Sequence, residues 1–137
     1  LWTLKTNSDY VLFAALQCAA VTALQLTDSY LEQVQKRYRT RRDFLIDGLA
    51  ELGWSIPKPK ATMYVWVPTP PGVGSTDFAL SVLQQTGVVV TPGNAFGAGG
   101  EGYVRVSLIA ECDRLGEALR RLKQANIRFQ AEAGILS

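Results

Sequence analysis

The order of predicted elements assigns this 137-residue chain to the α+β class. Three observations predict this class. The length suits one domain with a real core, helices and strands occur in groups, and no internal repeat is present. The elements run helix, strand, strand, helix, strand, strand, helix. We therefore expect a small mixed or antiparallel sheet covered by helices.

The first segment, from Tyr10 to Leu26, is apolar nearly all the way round a helix. It is marginal as a membrane span, which needs about 20 apolar residues, and Gln17 and Gln25 interrupt it. A helix that is apolar on every side belongs inside a larger protein. Because the chain also begins without methionine, we expect it to be a piece of a longer protein, and we expect this helix to pack against parts outside the chain.

A long amphipathic helix is predicted next, from Ser29 to Leu52, with Gly53 as its left-handed end. Its predicted buried stripe consists of Leu31, Val34, Tyr38, Leu45, Leu49 and Leu52. Its other side carries a basic run of Lys36, Arg37, Arg39, Arg41 and Arg42. With a net charge of only +2, we interpret this run as a solvated helix face and expect no nucleic-acid partner.

The remaining elements follow from alternating apolar positions and from glycine and proline boundaries. We predict strands at Trp54–Ile56 and Thr62–Val67, a short apolar strand in the segment that begins at Gly87 and turns at Pro92–Gly93, and a strand at Tyr103–Leu108. Helices are predicted at Ser75–Thr86 and Cys112–Ala125.

The most informative stretch is the glycine-rich loop before the last strand, together with Arg105 on that strand. Alternation puts Arg105 on the face opposite to Val104 and Val106. A strand arginine either points into water or finds an anion, because a buried unpaired charge is too costly. A guanidinium matches a carboxylate with two parallel donors, so the pattern indicates a carboxylate site, and a solvated arginine is the alternative. The loop also contains G-x-G-x-x-G at residues 97–102, but a strand follows it where a dinucleotide site requires a helix.

Composition excludes several other chemistries. The chain has no histidine, so it lacks the Ser/His/Asp and Cys/His arrangements and the commonest metal ligand. Its two cysteines, Cys18 and Cys112, are far apart, which predicts neither a disulfide framework nor a metal site. Lone thiols without a signal peptide favour a cytoplasmic location, and we expect no membrane partner.

Four segments together resemble the C-terminal part of class I/II aminotransferases, which are pyridoxal-phosphate enzymes of the aspartate-aminotransferase-like superfamily. These segments are Ala61–Pro68, Asp77–Ala79 with Leu83, Gly87–Gly97 and Gly100–Ser107. Within the family, the chain most resembles the LL-diaminopimelate aminotransferase group. The resemblance extends in order over about residues 5 to 125.

The resemblance implies roles for particular residues. Arg105 stands where the family's arginine binds the α-carboxylate of the substrate. Two residues of the preceding loop, Asn94 and Phe96, are implied to shape the substrate entrance. On the entry helix, the resemblance makes Asn7, Tyr10 and Phe13 candidates for the cofactor or substrate pocket. For Tyr10, Phe13 and Phe96, ordinary packing is the alternative.

The family's Schiff-base lysine, its S-x-S-K segment and its phosphate-binding groups have no counterpart in this chain. We therefore expect no catalytic residue here, and we expect the chain alone neither to hold pyridoxal 5'-phosphate tightly nor to transaminate. The implied organisation is a remnant of the large domain and interdomain helix at residues 1–27, followed by the small C-terminal domain at residues 28–137.

For the full-length protein, the resemblance implies an aminotransferase that moves an amino group from an amino acid to a 2-oxo acid, with LL-diaminopimelate as the candidate donor. It also implies a homodimer. Two alternatives remain open at this stage. One is a non-catalytic domain of a regulator that senses an amino acid or the cofactor. The other is a carbon–sulfur lyase, or a decarboxylase, on the same scaffold. Arg105 does not separate the enzymes, because each must hold an amino-acid carboxylate.

Overall fold

A computed structural model of the chain describes residues 2–8 and 12–129. The chain divides into two compact units, with the boundary after Lys36. The first unit contains helix α1 (Trp2–Ser8), helix α2 (Ala14–Leu24) and the beginning of α3. Every described residue of α1 and α2 is exposed. Within the described residues, no helix combines the length and the apolarity needed to cross a membrane.

Helix α2 begins later than the sequence predicts. Phe13 is extended, with φ −48° and ψ 128°, and the helix starts at Ala14. The predicted residue Tyr10 lies outside the described residues. Apolar side chains such as Leu16 and Val21 are more than half exposed, so the described residues leave the apolar surface of α2 uncovered.

Helix α3 (Asp28–Ala50) passes from the first unit into the second and matches the predicted long helix. Gly53 follows it with φ +97°, in the left-handed region that glycine adopts at low cost. The predicted buried stripe holds at Leu45 and Leu49, but Leu31 is 49% exposed. The prediction of a solvated basic face is wrong at Arg41, which is only 5% exposed, and Arg42 is half-buried, with Nη1 donating to the Pro59 carbonyl at 2.9 Å.

The sheet has three strands: β1 (Tyr64–Pro68), β2 (Thr91–Pro92) and β3 (Tyr103–Ser107). The spatial order is β1-β3-β2, and both pairings are antiparallel. The α+β prediction is confirmed, and of its two options the antiparallel sheet is observed. The register sets Arg105 opposite Trp66 on β1 and opposite Thr91 on β2.

The strand predicted at Trp54–Ile56 is not formed, and the apolar strand predicted between helix α4 (Ser75–Thr86) and the Pro92–Gly93 turn is observed only at Thr91–Pro92. Trp54 instead buries its ring in the core and donates a hydrogen bond from Nε1 to the Pro68 carbonyl, at 2.8 Å. The valines before β2 are outside the ladder, which begins only at Thr91. After α4, the Val88 amide donates to the Thr86 hydroxyl at 3.1 Å, so a local side-chain bond takes the place of a strand partner.

Helices cover one face of the sheet. Val65, Val67 and Val104 share a buried cluster with residues of α3 and with Phe78 and Val82 of α4 (Ser75–Thr86). Helix α5 (Cys112–Gln124) adds Leu115, Leu119 and Leu122. Each fully buried side chain of this size stabilises the fold by about 1.5–3 kcal/mol.

Because strand side chains alternate, the other face of the sheet carries a different set. It presents Tyr64, Trp66, Tyr103, Arg105 and Ser107, all of them exposed or half-buried. The core thus fixes one face of the sheet and leaves the second, aromatic face available for a site.

Candidate functional site

Arg105 lies at the centre of the sheet face that the helices leave open. It is the third residue of β3, the middle strand, and its side chain is half-buried. The buried neighbours Val104 and Leu108 anchor the same strand from the core side. The position of Arg105 is therefore set by the sheet itself and not by a flexible loop.

Two aromatic rings contact the Arg105 guanidinium. Its central carbon Cζ lies 4.0 Å from the centroid of the Tyr64 ring and 4.2 Å from that of Phe96. Tyr64 comes from β1 on one side of β3, while Phe96 lies in the short turn after β2 on the other side. Aromatic rings attract a guanidinium over their faces. The N–H donors of the guanidinium lie in its own plane, so these contacts leave them unused.

Within the described residues, Arg105 forms no ion pair with a carboxylate and no side-chain hydrogen bond. This is unusual for a half-buried cation, because partial removal from water has to be compensated. Planar, parallel donors of this kind match the two oxygens of a carboxylate. The arrangement is chemically suited to bind a small carboxylate.

The glycine loop beside Arg105 is tightly packed. A Cβ placed on Gly93 would lie 2.0 Å from the Gly100 carbonyl oxygen, and one placed on Gly100 would lie 2.1 Å from the Gly93 oxygen. Both residues must be glycine because two backbone segments touch there. After a short 3-10 turn at Ala98–Gly100 the chain enters β3, so the G-x-G-x-x-G pattern serves a loop and not a dinucleotide site.

The N-terminal end of α4 holds the same loop in place. The hydroxyl of the fully buried Ser75 accepts hydrogen bonds from the Gly102 and Tyr103 amides, at 2.9 and 3.2 Å. In return, the Ser75 amide donates to the Glu101 carboxylate at 2.7 Å. That hydrogen bond is the main reason that the pKa of the Glu101 carboxyl is lowered from its usual 4.5.

The predicted substrate residues lie near one another in this region. Phe96 contacts Arg105 directly, as described above. Asn94 instead bonds to α4, since its Nδ2 donates to the Thr76 hydroxyl at 2.9 Å. The side chain of Asn94 is thus engaged in holding the loop, and its part in a substrate entrance stays a prediction.

The predicted cofactor residues belong to the first unit. Phe13 is 71% exposed, and Asn7 is exposed, with its Nδ2 donating to the Thr3 carbonyl at 2.7 Å. Tyr10 lies outside the described residues. The roles of all three stay predictions.

Sequence reasoning missed two residues that matter for the second unit. Tyr64 lies in the strand predicted at Thr62–Val67. Its contact with Arg105 depends on the register between β1 and β3, which the sequence does not determine. Arg41 was assigned to water. It donates from Nη1 to the Leu108 and Ile109 carbonyls, at 3.2 and 2.7 Å, and its Nη2 pairs with Glu111.

A cavity of about 450 Å³ lies behind the sheet. Its lining is mainly apolar and includes Val88, Val104 and Leu119. Because Val104 faces away from Arg105, this cavity is on the opposite side of the sheet from the guanidinium and is not part of the aromatic face around Arg105.

The expectation that the main pyridoxal-phosphate site lies outside this chain stays a prediction. Such a site needs a lysine for the cofactor aldehyde and a cradle for the phosphate. Lys58 is paired with Asp43 and Asp47, and Lys123 lies 3.8 Å from Glu51. Neither lysine contacts the aromatic face around Arg105. Among residues 2–8 and 12–129, no group of three metal-binding side chains occurs either.

Comparison with known proteins gives a consistent set of relatives. Residues 3–122 match the family model of aminotransferase class I and II. The chain is 48% identical over 125 residues to LL-diaminopimelate aminotransferase 2 of Nostoc sp., covering 91% of the chain and 32% of the relative. It is 45% identical to LL-diaminopimelate aminotransferase of Halothermothrix orenii, covering 93% of the chain and 33% of the relative.

Among solved structures, an aminotransferase from Staphylococcus aureus superposes with a TM-score of 0.82 at 35% identity. That match covers 93% of this chain and 34% of the Staphylococcus chain. The chain thus spans about a third of the length of the relatives it matches. With the family model matched over most of its length, the chain belongs to the class I and II aminotransferase family.

Proposed function

We propose that this chain is the C-terminal part of a pyridoxal-phosphate-dependent aminotransferase and that Arg105 binds the α-carboxylate of its amino-acid and 2-oxo-acid substrates. The observation that carries the proposal is the half-buried Arg105 guanidinium, whose faces contact Tyr64 and Phe96 while its in-plane donors are unused by the described residues. An α-carboxylate is common to both substrates, so one arginine serves both halves of the exchange.

The work of Arg105 in this proposal is binding and orientation. A two-point contact to a carboxylate fixes both the position of the α-carbon and its rotation, which lowers the entropic part of the barrier. The strand and the packed glycine loop keep the guanidinium in place before the substrate arrives. When bound in the full-length protein, the cofactor supplies the electron sink for the α-carbon chemistry. The main groups that hold it are proposed to belong to the part of the protein outside this chain, with Asn7, Tyr10 and Phe13 as the candidates within it.

LL-diaminopimelate is the donor that we propose to test first, because two relatives at 45–48% identity are LL-diaminopimelate aminotransferases. The full-length protein is further proposed to be a cytoplasmic homodimer. We propose that this chain alone is inactive, since the family's S-x-S-K segment, which carries the Schiff-base lysine, has no counterpart in its sequence.

The test is a kinetic comparison of the full-length protein with its Arg105→Ala variant, using LL-diaminopimelate and a panel of other amino-acid donors. Arg105→Ala removes one partner of a hydrogen-bonded charge pair. We therefore expect kcat/KM of this variant to fall by about 30- to 1000-fold, chiefly through a higher KM. Arg39→Ala is the matched control, because Arg39 is an exposed arginine on α3.

Two results would count against the proposal. If Arg105→Ala kept wild-type kinetics with every active donor, the guanidinium would not be the carboxylate site. If the purified full-length protein bound an amino acid without any exchange of amino groups, a sensing role would replace the enzymatic one.

A further inference from the structure

The two rings against Arg105 differ from ordinary packing in where they come from. Tyr64 is diagonal to Arg105 across the β1–β3 pairing, because its direct partner is Ser107. Phe96 reaches the same guanidinium from the 3-10 turn Gly93–Phe96, beyond β2. Rings from both neighbours of the middle strand thus converge on one cation, at 4.0 and 4.2 Å.

Phe96 is held at this position from a second direction. Its ring meets the Trp66 ring edge-on, with centroids 5.6 Å apart and an interplanar angle of 79°. Trp66 is the direct cross-strand partner of Arg105. The contact therefore ties the loop that carries Phe96 to the strand that carries Tyr64, and such edge-to-face pairs are favourable beyond the area they bury.

An arginine side chain has four rotatable bonds to order before its donors can meet a ligand in one geometry. Rings against the faces restrict rotation of the guanidinium plane, while the in-plane donors stay accessible. A stacked guanidinium also loses less water when a carboxylate arrives, because part of its surface is already covered.

We infer that Tyr64 and Phe96 are positioning residues that pre-orient the Arg105 guanidinium for a carboxylate. This inference rests on the proposed function, since it concerns the same site. It goes further in assigning to two aromatic rings a share of the substrate affinity, through an arginine that they contact and without contact to the substrate itself.

The test uses Tyr64→Leu and Phe96→Leu in the full-length protein, with Tyr64→Phe as the conservative variant. We expect each leucine variant to raise KM for the amino acid by about 3- to 30-fold, with kcat changed by less than about twofold. Tyr64→Phe keeps the ring and should keep the wild-type KM. Tyr103→Leu is the matched control, because Tyr103 shares the sheet face and contacts Trp66, at 6.3 Å between centroids, rather than Arg105.

A donor without a carboxylate separates positioning from general packing. The amine that remains when every carboxylate of the same amino acid is removed (both of them for LL-diaminopimelate) does not need Arg105, so its turnover should be equal in wild type, Tyr64→Leu and Phe96→Leu. If the leucine variants impaired the amine as much as the amino acid, or if Tyr64→Phe behaved like Tyr64→Leu, the inference would be wrong.

Arg105→Ala is measured alongside, so that the two proposals fail separately. A raised KM in Arg105→Ala with normal KM in both leucine variants overturns only the positioning role. An unchanged KM in Arg105→Ala overturns the carboxylate site and the positioning role together. Should a leucine variant fold poorly, NMR of the Arg105 side chain in Tyr64→Phe, Phe96→Tyr and wild type measures rotation about Nε–Cζ. It should stay equally restricted in all three, and free rotation in wild type would overturn the inference.

Discussion

Arg41 is buried and Arg105 is half-buried, but the two guanidinium groups have opposite kinds of contacts. Arg41 is 5% exposed, and its terminal donors are used by two backbone carbonyls and by Glu111. Arg105 has aromatic rings against its faces, and its in-plane donors have no partner among the described residues. Burial alone therefore does not distinguish the two arginines. What separates them is whether the terminal N–H donors are already used; the buried Nε of Arg41 has no hydrogen-bond partner among the described residues.

The two regions also differ in what their arginine holds. Arg41 joins α3 to the chain that leaves β3, through Leu108 and Ile109. Among the described residues, the Arg105 side chain forms no hydrogen bond that would link two elements. Its guanidinium is instead contacted by the rings of Tyr64 and Phe96. We therefore expect substitutions in the Arg41 region to change stability, and those at Arg105 to change binding.

The largest effect on stability is expected from Gly100→Ala, which breaks the loop beside Arg105. The new methyl group would lie 2.1 Å from the Gly93 carbonyl oxygen, so the backbone has to move. We expect a loss of about 3 kcal/mol or more in the free energy of unfolding, measured by urea denaturation. Gly99→Ala is the matched control, because nothing lies within 4 Å of its added methyl group. Equal stability of the two variants would contradict the close approach of the two segments.

Arg41→Met tests the other side of the comparison. It removes the charged donors from the Leu108 and Ile109 carbonyls and leaves Glu111 unpaired, while the methionine keeps much of the apolar stem. We expect the free energy of unfolding to fall by about 2–3 kcal/mol. In the full-length protein, KM for the amino acid should change by less than about threefold. A variant with normal stability but a strongly raised KM would assign Arg41 to the ligand site instead.

The smallest effect on stability is expected when the pH is lowered. Because the folded-state pKa of Glu101 is lowered below 4.5, its contribution to stability is complete above that pH. The contribution is lost as the pH falls through the folded pKa. The Ser75 amide, which donates to Glu101, should report this titration as an NMR shift with a midpoint below 4.5 that Glu101→Gln abolishes.

Glu117 provides an internal reference in the same titration. Hydrogen bonds from Arg120 and then Arg121 lower the pKa of its carboxyl to about 2, so its own signals change at the low end of the range. A Ser75 midpoint at or above 4.5 would contradict the hydrogen bond between α4 and the glycine loop.

Much of this fold could be predicted from local sequence signals. Helix α4 was predicted from Ser75 to Thr86 and is observed there, ending at Gly87 with φ +68°. The alternation around Arg105 also gave the correct face of β3. These features depend on the periodicity of apolar residues and on glycine at helix ends. Both signals act over only a few residues, so they can be predicted from the sequence.

The failures have a common cause. The valines before β2 have a strand's composition, yet the ladder begins only at Thr91, because a strand also needs a partner in register. The prediction that Arg41 is solvated rests on its neighbours along the helix. Its burial depends instead on carbonyls about 67 residues later in the chain. Neither outcome depends on nearby residues.

Sequence signals alone were sufficient for the α+β class, most helix boundaries and the family resemblance, and they singled out Arg105, whose role stays a prediction. Tertiary structure alone decided that Tyr64 and Phe96 meet its guanidinium, that Gly93 and Gly100 touch, and that Arg41 is buried. The physical reason is range. Helix and strand propensity and periodicity act between residues a few positions apart. Whether the N–H groups of an arginine find hydrogen-bond partners depends on strand register and helix packing across the whole domain.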